Sequence, residues 1–585
     1  MLRRIKARPD AARPGRGGRV DSATRLWFVP ARHGPRPRRP VCFWIVTPSM
    51  PRIRPAALLS RAKGLLISGV GLTAKALATP IPRLTPEQRI AMLPTDGLPL
   101  AAPVDVHWNE HLVPYIDATS DDDLAFALGY VSAHLRLGHI AVTKRAAMGR
   151  LAECFGPVAA DLDKSLRILG FGQGTAATVA ALPAATRQWV QRYVDGLNHY
   201  QDSVRPLPPD VTILGIEPEP WTVEDVVTMG RLAGNDINWL GWFRLLRWRK
   251  HADWPAIWAE ACRWGGTSRA SFIDAGTLEE EALDEILEGG ARSGSNAMAV
   301  AGSRTASGAA LLANDPHVGI FLPSLFLIVG LRSPTYNAVG LMIPGLPFHA
   351  IGRNADIAWG ATNMRAASSD LVDLSGLPED AITTRIERVK VRWAAERRVK
   401  VRTTAFGPVV SDAPLVKGEG PPVALRWMGH QVTDEITAML DVARARDFHA
   451  FRRALASWGV SGQNFLYADA RGHVGQVMAV HLPRRGPLPP DDLLLTPERS
   501  VGWERRVTAA ELPAGFDPPE GFLASANNQP ARSDVLIGYF FAANDRITRL
   551  TQLLAARRDW DLAGLAAMQR DVVRVSALRL RDVAA

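Results

Sequence analysis

The residues best placed to do chemistry lie where an acidic, helix-forming run, LEEEALDEILEG, gives way to the small hinge Ala291-Arg292-Ser293-Gly294 and then to Ser295-Asn296. A serine hydroxyl is a weak nucleophile until a base takes its proton. If the Gly294–Ser295 bond is cut, Ser295 becomes an N-terminal residue carrying both a hydroxyl and an α-amine. An α-amine with a pKa of about 8 can serve as the base without a His–Asp relay. Gly294 suits the bond to be cut, because the backbone must bend sharply for the hydroxyl to reach the preceding carbonyl. Taken alone, the Gly-Ser dipeptide reads as a loop entering the strand AMAVAG. Its company points to the sharper reading: ANDPHVG, with His317 22 residues beyond Ser295; GRNADIAWGATN, ending at Asn363; SANNQP, with Asn527; and NDRITRL, with Arg546.

Such residues need a scaffold to bring them together. After Ser295 the segments AMAVAG, AALLAN, LFLIVGL, YNAVGLMI, HAIGRN and IAWGAT are short and apolar or alternating, as strands are. VKVRW, RVKVRTTAFGPVV and QNFLYADARGHVGQVMAVHLP follow, the last a hairpin turning at Ala470-Arg471-Gly472. The first half reads differently. The folded body is expected to begin near Leu100 with the hairpin VDVHWNEHLVPYI. Ser120 and the acids Asp121, Asp122 and Asp123 then cap a long helix with the stripe Leu124, Ala127, Leu128, Val131 and Leu135, running on through RAAMGRLAECFG. Further helix extends to about His199. Pro206 to Pro220 connects it to a helix capped by Thr222, which is followed by the tryptophan-rich NWLGWFRLLRW. Its indoles read as core or as the wall of a substrate pocket. The expected organisation is a basic tail and leader over 1–99, a helical region over 100–264, a spacer over 265–294 and a β-rich part over 295–585. A helix-rich half followed by a strand-rich half implies an α+β fold.

The chain has 585 residues, 47% hydrophobic and 22% charged, which is globular composition. Its net charge of +11 belongs to one end. Residues 1–63 hold 16 Lys and Arg against 2 acids, while the remainder, with 53 basic and 56 acidic residues, is close to neutral. A nucleic-acid or anionic-membrane binder acting through the tail is therefore disfavoured, and no nucleic-acid motif accompanies the charge. Three scattered cysteines form neither a disulfide framework nor a zinc site. Residues 1–49, rich in Arg, Pro and Gly, read as disordered. From Met50 the pattern is a basic region, an apolar Gly64–Ala74 and the small residues Ala76-Leu77-Ala78. It reads either as an export signal, placing the protein in the periplasm or outside the cell, or as a leader helix that stays attached in the cytoplasm. The apolar run is too short for a stable membrane span.

Taken in order, the helix DLAFALGYVSAHLRLGHIAVTKRAAMGRLAECFG, G-SNAMAV, ANDPHVG, GRNADIAWGATN, QNFLYADARGHVGQV and SANNQP with NDRITRL resemble the penicillin acylase family of N-terminal-nucleophile hydrolases. That family includes cephalosporin and acyl-homoserine-lactone acylases, and the resemblance covers roughly residues 100–580. It implies an αββα sandwich and a precursor that cuts itself into two chains, which stay together as a heterodimer and hydrolyse an N-acylated small molecule. By the same resemblance Ser295 is the nucleophile and His317 lines the site and orients it. The N–H of Asn363 and the side chain of Asn527 donate to the oxyanion, and Arg546 stands near the nucleophile. No cofactor is required for catalysis. Family members often hold a structural calcium, for which Asp370 and Asp373 have the spacing of two ligands, while the glutamate expected from the first chain is not evident. Trp239, Trp242 and Val318 are the expected pocket wall, favouring an apolar acyl chain. The family continues beyond the MQRDVVRVSALRLRD helix, so a C-terminal portion is expected to be missing. An uncut relative that only binds acylated ligands is the alternative reading.

Overall fold

The computed structural model describes residues 55–264, 294–319, 321–416, 420–542 and 544–584; the basic tail up to residue 54 and the spacer over 265–293 lie outside the described residues. Around Ser295 the chain forms two facing sheets, and the alternation of side chains along each strand sorts residues between their two sides. In the strand Gly294–Val300, Ala297 and Ala299 pack with Leu466, Ala468 and Val474 of the other sheet. Met298 and Val300 point the opposite way, onto Leu550, Leu554, Leu565 and Met568. The strand Gln463–Asp469 alternates likewise, with Leu466 and Ala468 between the sheets and Phe465 and Tyr467 toward a helical layer. Small side chains on the facing sides let the sheets approach closely.

The smaller sheet has the order Phe522–Ser525, Gly294–Val300, Leu311–His317, all antiparallel. The larger begins with Asp105–Trp108 and Pro114–Asp117 from the first half. It continues through Leu327–Arg332, Asn337–Met342, Ile351–Arg353, Ile357–Asn363, Gln463–Asp469 and Val474–Ala479 to Ala514–Phe516. Within it, Pro114–Asp117 runs parallel to Leu327–Arg332, so the first half is built into the sheet of the second. The helices Asp121–Ala147, Ala184–Ser203, Val223–Ala233 and Glu435–Arg444 cover the outer face of the larger sheet. Asp545–Ala555 and Leu562–Gln569 cover the smaller. The layers run helix, sheet, sheet, helix, the αββα arrangement expected.

Two boundaries differ from the expectation. The long helix begins as read, with Ser120 Oγ accepting from Asp123 N, but ends at Ala147. Gly149 takes a left-handed φ of +63°, and a Cβ there would lie 2.8 Å from the Asp163 carbonyl. The chain resumes as the single turn Ala152–Phe155, whose start is capped from outside: Asp163 accepts from Leu151 N and Ala152 N at 2.7 and 2.6 Å. The folded part also starts before Leu100. Pro55–Ala78 is a helix with buried Ser68, whose Oγ accepts from Val158 N at 3.3 Å, and Thr85 forms a capping box with Gln88 ahead of Pro86–Ala91. No described helix is long and apolar enough to cross a membrane.

Candidate active site

Ser295 is the second residue of its strand, 6% exposed, with Pro316 opposite it and His317 opposite Gly294. Asn527 arrives just past the strand Phe522–Ser525 in a left-handed conformation, φ +62°, which Asn tolerates better than most residues. Its amide holds Ser295 at two points: Oδ1 accepts from Ser295 N at 2.8 Å, and Nδ2 donates to Ser295 Oγ at 3.3 Å. Nδ2 also donates to the Asn363 carbonyl, at 2.7 Å, at the end of Ile357–Asn363.

Arg546, in the first turn of Asp545–Ala555, decides which way that amide faces. Its Nη2 donates to Asn527 Oδ1 at 2.9 Å, and its Nη1 donates to the Ser295 carbonyl at 2.8 Å and to Asn296 Oδ1 at 2.7 Å. A guanidinium has only donors, so the atom it meets must be the amide oxygen, and the Nδ2 is left to face the hydroxyl. Burial pushes the Arg546 pKa down and nearby Asp315 opposes that shift. Gly294 is required for space as well as bending. A Cβ there would lie 3.1 Å from Arg546 Nη2 and 3.3 Å from Asn527 Oδ1.

A cavity of about 630 Å³ opens at Ser295, with Asn363, Asn527 and His317 at its wall. Most of its lining is apolar, including Val226, Val227, Leu346, Phe348, Ile436 and Trp458. Val226 and Val227 come from the first half, so the cavity straddles the segments on either side of the expected cut.

The family model described as Penicillin amidase matches residues 103–584. This chain belongs to the penicillin amidase family. The penicillin acylase 2 proenzyme of Pseudomonas sp. (strain SE83) is 30% identical over 469 residues, covering 74% of this chain and 60% of that protein. The acyl-homoserine lactone acylase QuiP of Pseudomonas aeruginosa is 26% identical over 546 residues, covering 83% of this chain and 63% of that one. The chain thus spans under two thirds of the length of these relatives. The thermostable penicillin G acylase from Alcaligenes faecalis in orthorhombic form aligns with a TM-score of 0.41 at 24% identity, over 47% of this chain and 51% of that one.

In this penicillin amidase family member four of the five expected catalytic positions, Ser295, Asn363, Asn527 and Arg546, meet through direct contacts. The fifth, His317, lines the cavity, but its imidazole turns to Asp315 Oδ2 at 3.0 Å; it is the main chain of His317 that faces Gly294. Val318 lines the cavity as expected, whereas Trp239 and Trp242 do not. Trp239 packs edge-on against Trp427 at 5.0 Å with its Nε1 donating to Ser369 Oγ, and Trp242 packs against Tyr539 at 5.3 Å. Both are core, because the helix Trp239–Leu245 turns that face away from the cavity and onto the segment after Asn363.

Asp370 and Asp373 do not converge either. They lie three apart in the strand Ser369–Asp373, so their side chains leave opposite faces. Asp370 is buried and ion-paired to Arg485, while Asp373 accepts from Ser375 N and Oγ. Among the described residues no three His, Cys, Asp or Glu side chains group closely enough to hold a metal ion. The donor set expected for calcium is not assembled.

Three polar residues escaped the sequence reading. Asn314, within ANDPHVG, stitches the two sheets beside the nucleophile. Its Nδ2 donates to the Asn296 carbonyl at 2.6 Å and its Oδ1 accepts from Ala361 N at 2.9 Å. An amide directly after the apolar run AALLA was the available signal. The first half also supplies Asp236 and Asn238, from NDINW. Asn238 Nδ2 donates to the carbonyls of Arg365 and Ala366, and Asp236 accepts from Ser369 Oγ at 3.0 Å and Asn238 N at 2.9 Å.

Asp236 is 4% exposed, and burial, only partly offset by these hydrogen bonds, pushes its pKa up to about 6. The folded state therefore holds this proton more tightly than the unfolded chain. The destabilisation is absent below pH ~4, grows as pH rises through ~4–6, and is complete above that, at about 3 kcal/mol. Asp236→Asn, which keeps one acceptor oxygen for Asn238 N and turns an NH2 to the Ser369 hydroxyl, is expected to raise the melting temperature at pH 8 and to leave it little changed near pH 4. Thermal unfolding at the two pH values checks this.

Proposed function

We propose that this chain is an acylase precursor in which cutting of Gly294–Ser295 exposes Ser295 as an N-terminal nucleophile. The mature site then hydrolyses the amide bond of an N-acylated small molecule, of the β-lactam amide or acyl-homoserine lactone type. The observation that carries this reading is the two-point hold of Asn527 on Ser295, with the amide orientation fixed by Arg546.

In maturation the Ser295 hydroxyl attacks the Gly294 carbonyl, the acyl group passes from nitrogen to oxygen, and water hydrolyses the ester. The new amine keeps one N–H for Asn527 Oδ1 and gains a lone pair. The Arg546 guanidinium, bonded to Ser295 O and Asn527 Oδ1, disfavours the ammonium form of that amine. In turnover that amine, through a water, takes the hydroxyl proton as Oγ attacks the substrate carbonyl. Nδ2 of Asn527 and the N–H of Asn363 donate to the oxyanion. The proton passes to the leaving amine, and water then attacks the acyl-enzyme and releases the acid. The two chains remain joined, since both contribute to the larger sheet and to the cavity wall.

The apolar cavity supports a long acyl chain over a short or charged one. Denaturing mass spectrometry and N-terminal sequencing test the first step: two chains are expected, the second beginning Ser-Asn-Ala-Met. One intact chain that binds acylated ligands without releasing amine defeats the reading. The acyl preference is tested at Gly230, which lines the cavity and whose added Cβ would meet Leu346 at 3.8 Å. Gly230→Phe is expected to lower kcat/KM for a long-chain acyl-homoserine lactone by ~10–100-fold and to spare a short-chain one, because lost apolar contact is worth ~1–3 kcal/mol.

A further inference from the structure

We propose that Arg485 supplies, as a fixed guanidinium, the positive charge that a calcium ion would bring to the segment following Asn363, so that the two parts of the chain are held there without a metal. Asp370, 2% exposed, has both carboxylate oxygens engaged. Oδ1 takes Arg485 Nη1, and Oδ2 accepts from Ser500 Oγ at 2.9 Å and Trp503 Nε1 at 2.7 Å. Arg485 Nη2 continues to the Ala367 carbonyl at 2.6 Å, so one side chain fastens residues 367 and 370 together.

A second guanidinium stands beside the first. Arg426 is the cross-strand partner of Asp370; it donates to the Ser500 carbonyl at 2.8 Å and lies 4.8 Å over the Trp503 ring. Calcium takes six to eight oxygen ligands. Here the buried carboxylate of Asp370 is already neutralised, and an incoming divalent ion would face two cations. The first-half carboxylate that does approach, Asp236, is occupied with the Ser368 and Ser369 hydroxyls. The position of this pair gives it a consequence. Residues 365–370 run directly on from the strand that ends at Asn363. They are clasped on one side by Asn238 and Trp239 of the first half and on the other by Arg485. The guanidinium thus anchors the stretch on which the first chain is held after a cut at Gly294–Ser295. A buried ion pair stripped of one partner leaves an uncompensated charge, which destabilises strongly.

The test is thermal unfolding of the full chain with EDTA, with added calcium and with added magnesium. EDTA and calcium are expected to leave the wild-type melting temperature unchanged. Arg485→Met is expected to lower it by ~3–5 °C, with no recovery in calcium. Asp370→Asn introduced alongside Arg485→Met should regain part of that loss, because the stranded carboxylate is gone; a packing role for Arg485 gives no such recovery. A wild-type melting temperature that falls in EDTA and is restored by calcium but not magnesium overturns the proposal. So does a double variant no more stable than Arg485→Met alone. If Arg485→Met fails to fold, the wild-type chelation result still decides.

Discussion

Alanine at position 295 is expected to leave one uncut chain and to reduce amide hydrolysis by ~10⁶. Both losses follow from one atom. In the proposed chemistry the Ser295 hydroxyl is the attacking group in the cut and again in turnover, and nothing else at this position has a nucleophilic oxygen. The fold should not notice. Among the described residues Oγ makes one long hydrogen bond, 3.3 Å to Asn527 Nδ2, while the contacts that fix the strand, Ser295 N to Asn527 and Ser295 O to Arg546, use the main chain of Ser295 and survive the substitution. Mass spectrometry under denaturing conditions, amine release and a thermal melt together separate chemistry from stability. A Ser295→Ala chain that still splits at Gly294–Ser295 would remove Ser295 as the maturation nucleophile. One that splits and also retains hydrolysis would end the acylase reading.

How much of this was legible in the sequence depends on the distance over which each contact acts. The small, apolar character of AMAVAG is local, and it gave a strand; the different packing of its two faces is seen only in the structure. Asn527 and Arg546 reach Ser295 from 232 and 251 residues away. No periodicity reports such a meeting, and the ordered set of motifs was the only sequence signal for it. The tryptophans failed for another reason. Composition places Trp239 and Trp242 inside, but whether an inward indole meets a cavity or another ring is set by how its helix is rotated, here toward Trp427 and Tyr539. The aspartates failed through secondary structure: a spacing of three can serve one ion from a loop, yet SDLVD is a strand and divides the pair between its faces. Asn314, Asp236 and Asn238 were missed because each acts on main-chain or hydroxyl groups of a distant segment, and those partners carry no sequence mark of their own.

Removing the Asn527 side chain is the second large effect, and the choice of replacement decides what is learned. Alanine at a left-handed φ of +62° adds backbone strain, so Asn527→Gly is the cleaner deletion. Without the Nδ2 donor, kcat is expected to fall by ~10²–10³ with little change in KM, since the lost bond serves the oxyanion and not the bound substrate. Asn527→Asp sharpens the point. Its carboxylate keeps an acceptor for Ser295 N and pairs with Arg546, so the nucleophile stays positioned; but beside that guanidinium it remains ionised and offers no proton. If donation to the oxyanion is what Asn527 contributes, aspartate must be at least as damaging as glycine, and an anion facing a developing oxyanion should make it worse. If Asn527 only locates Ser295, aspartate should be the milder change. Rates referred to the amount of chain beginning at Ser295 keep any slowing of the cut out of the comparison, and a kcat for Asn527→Asp within tenfold of wild type would assign the oxyanion to other donors.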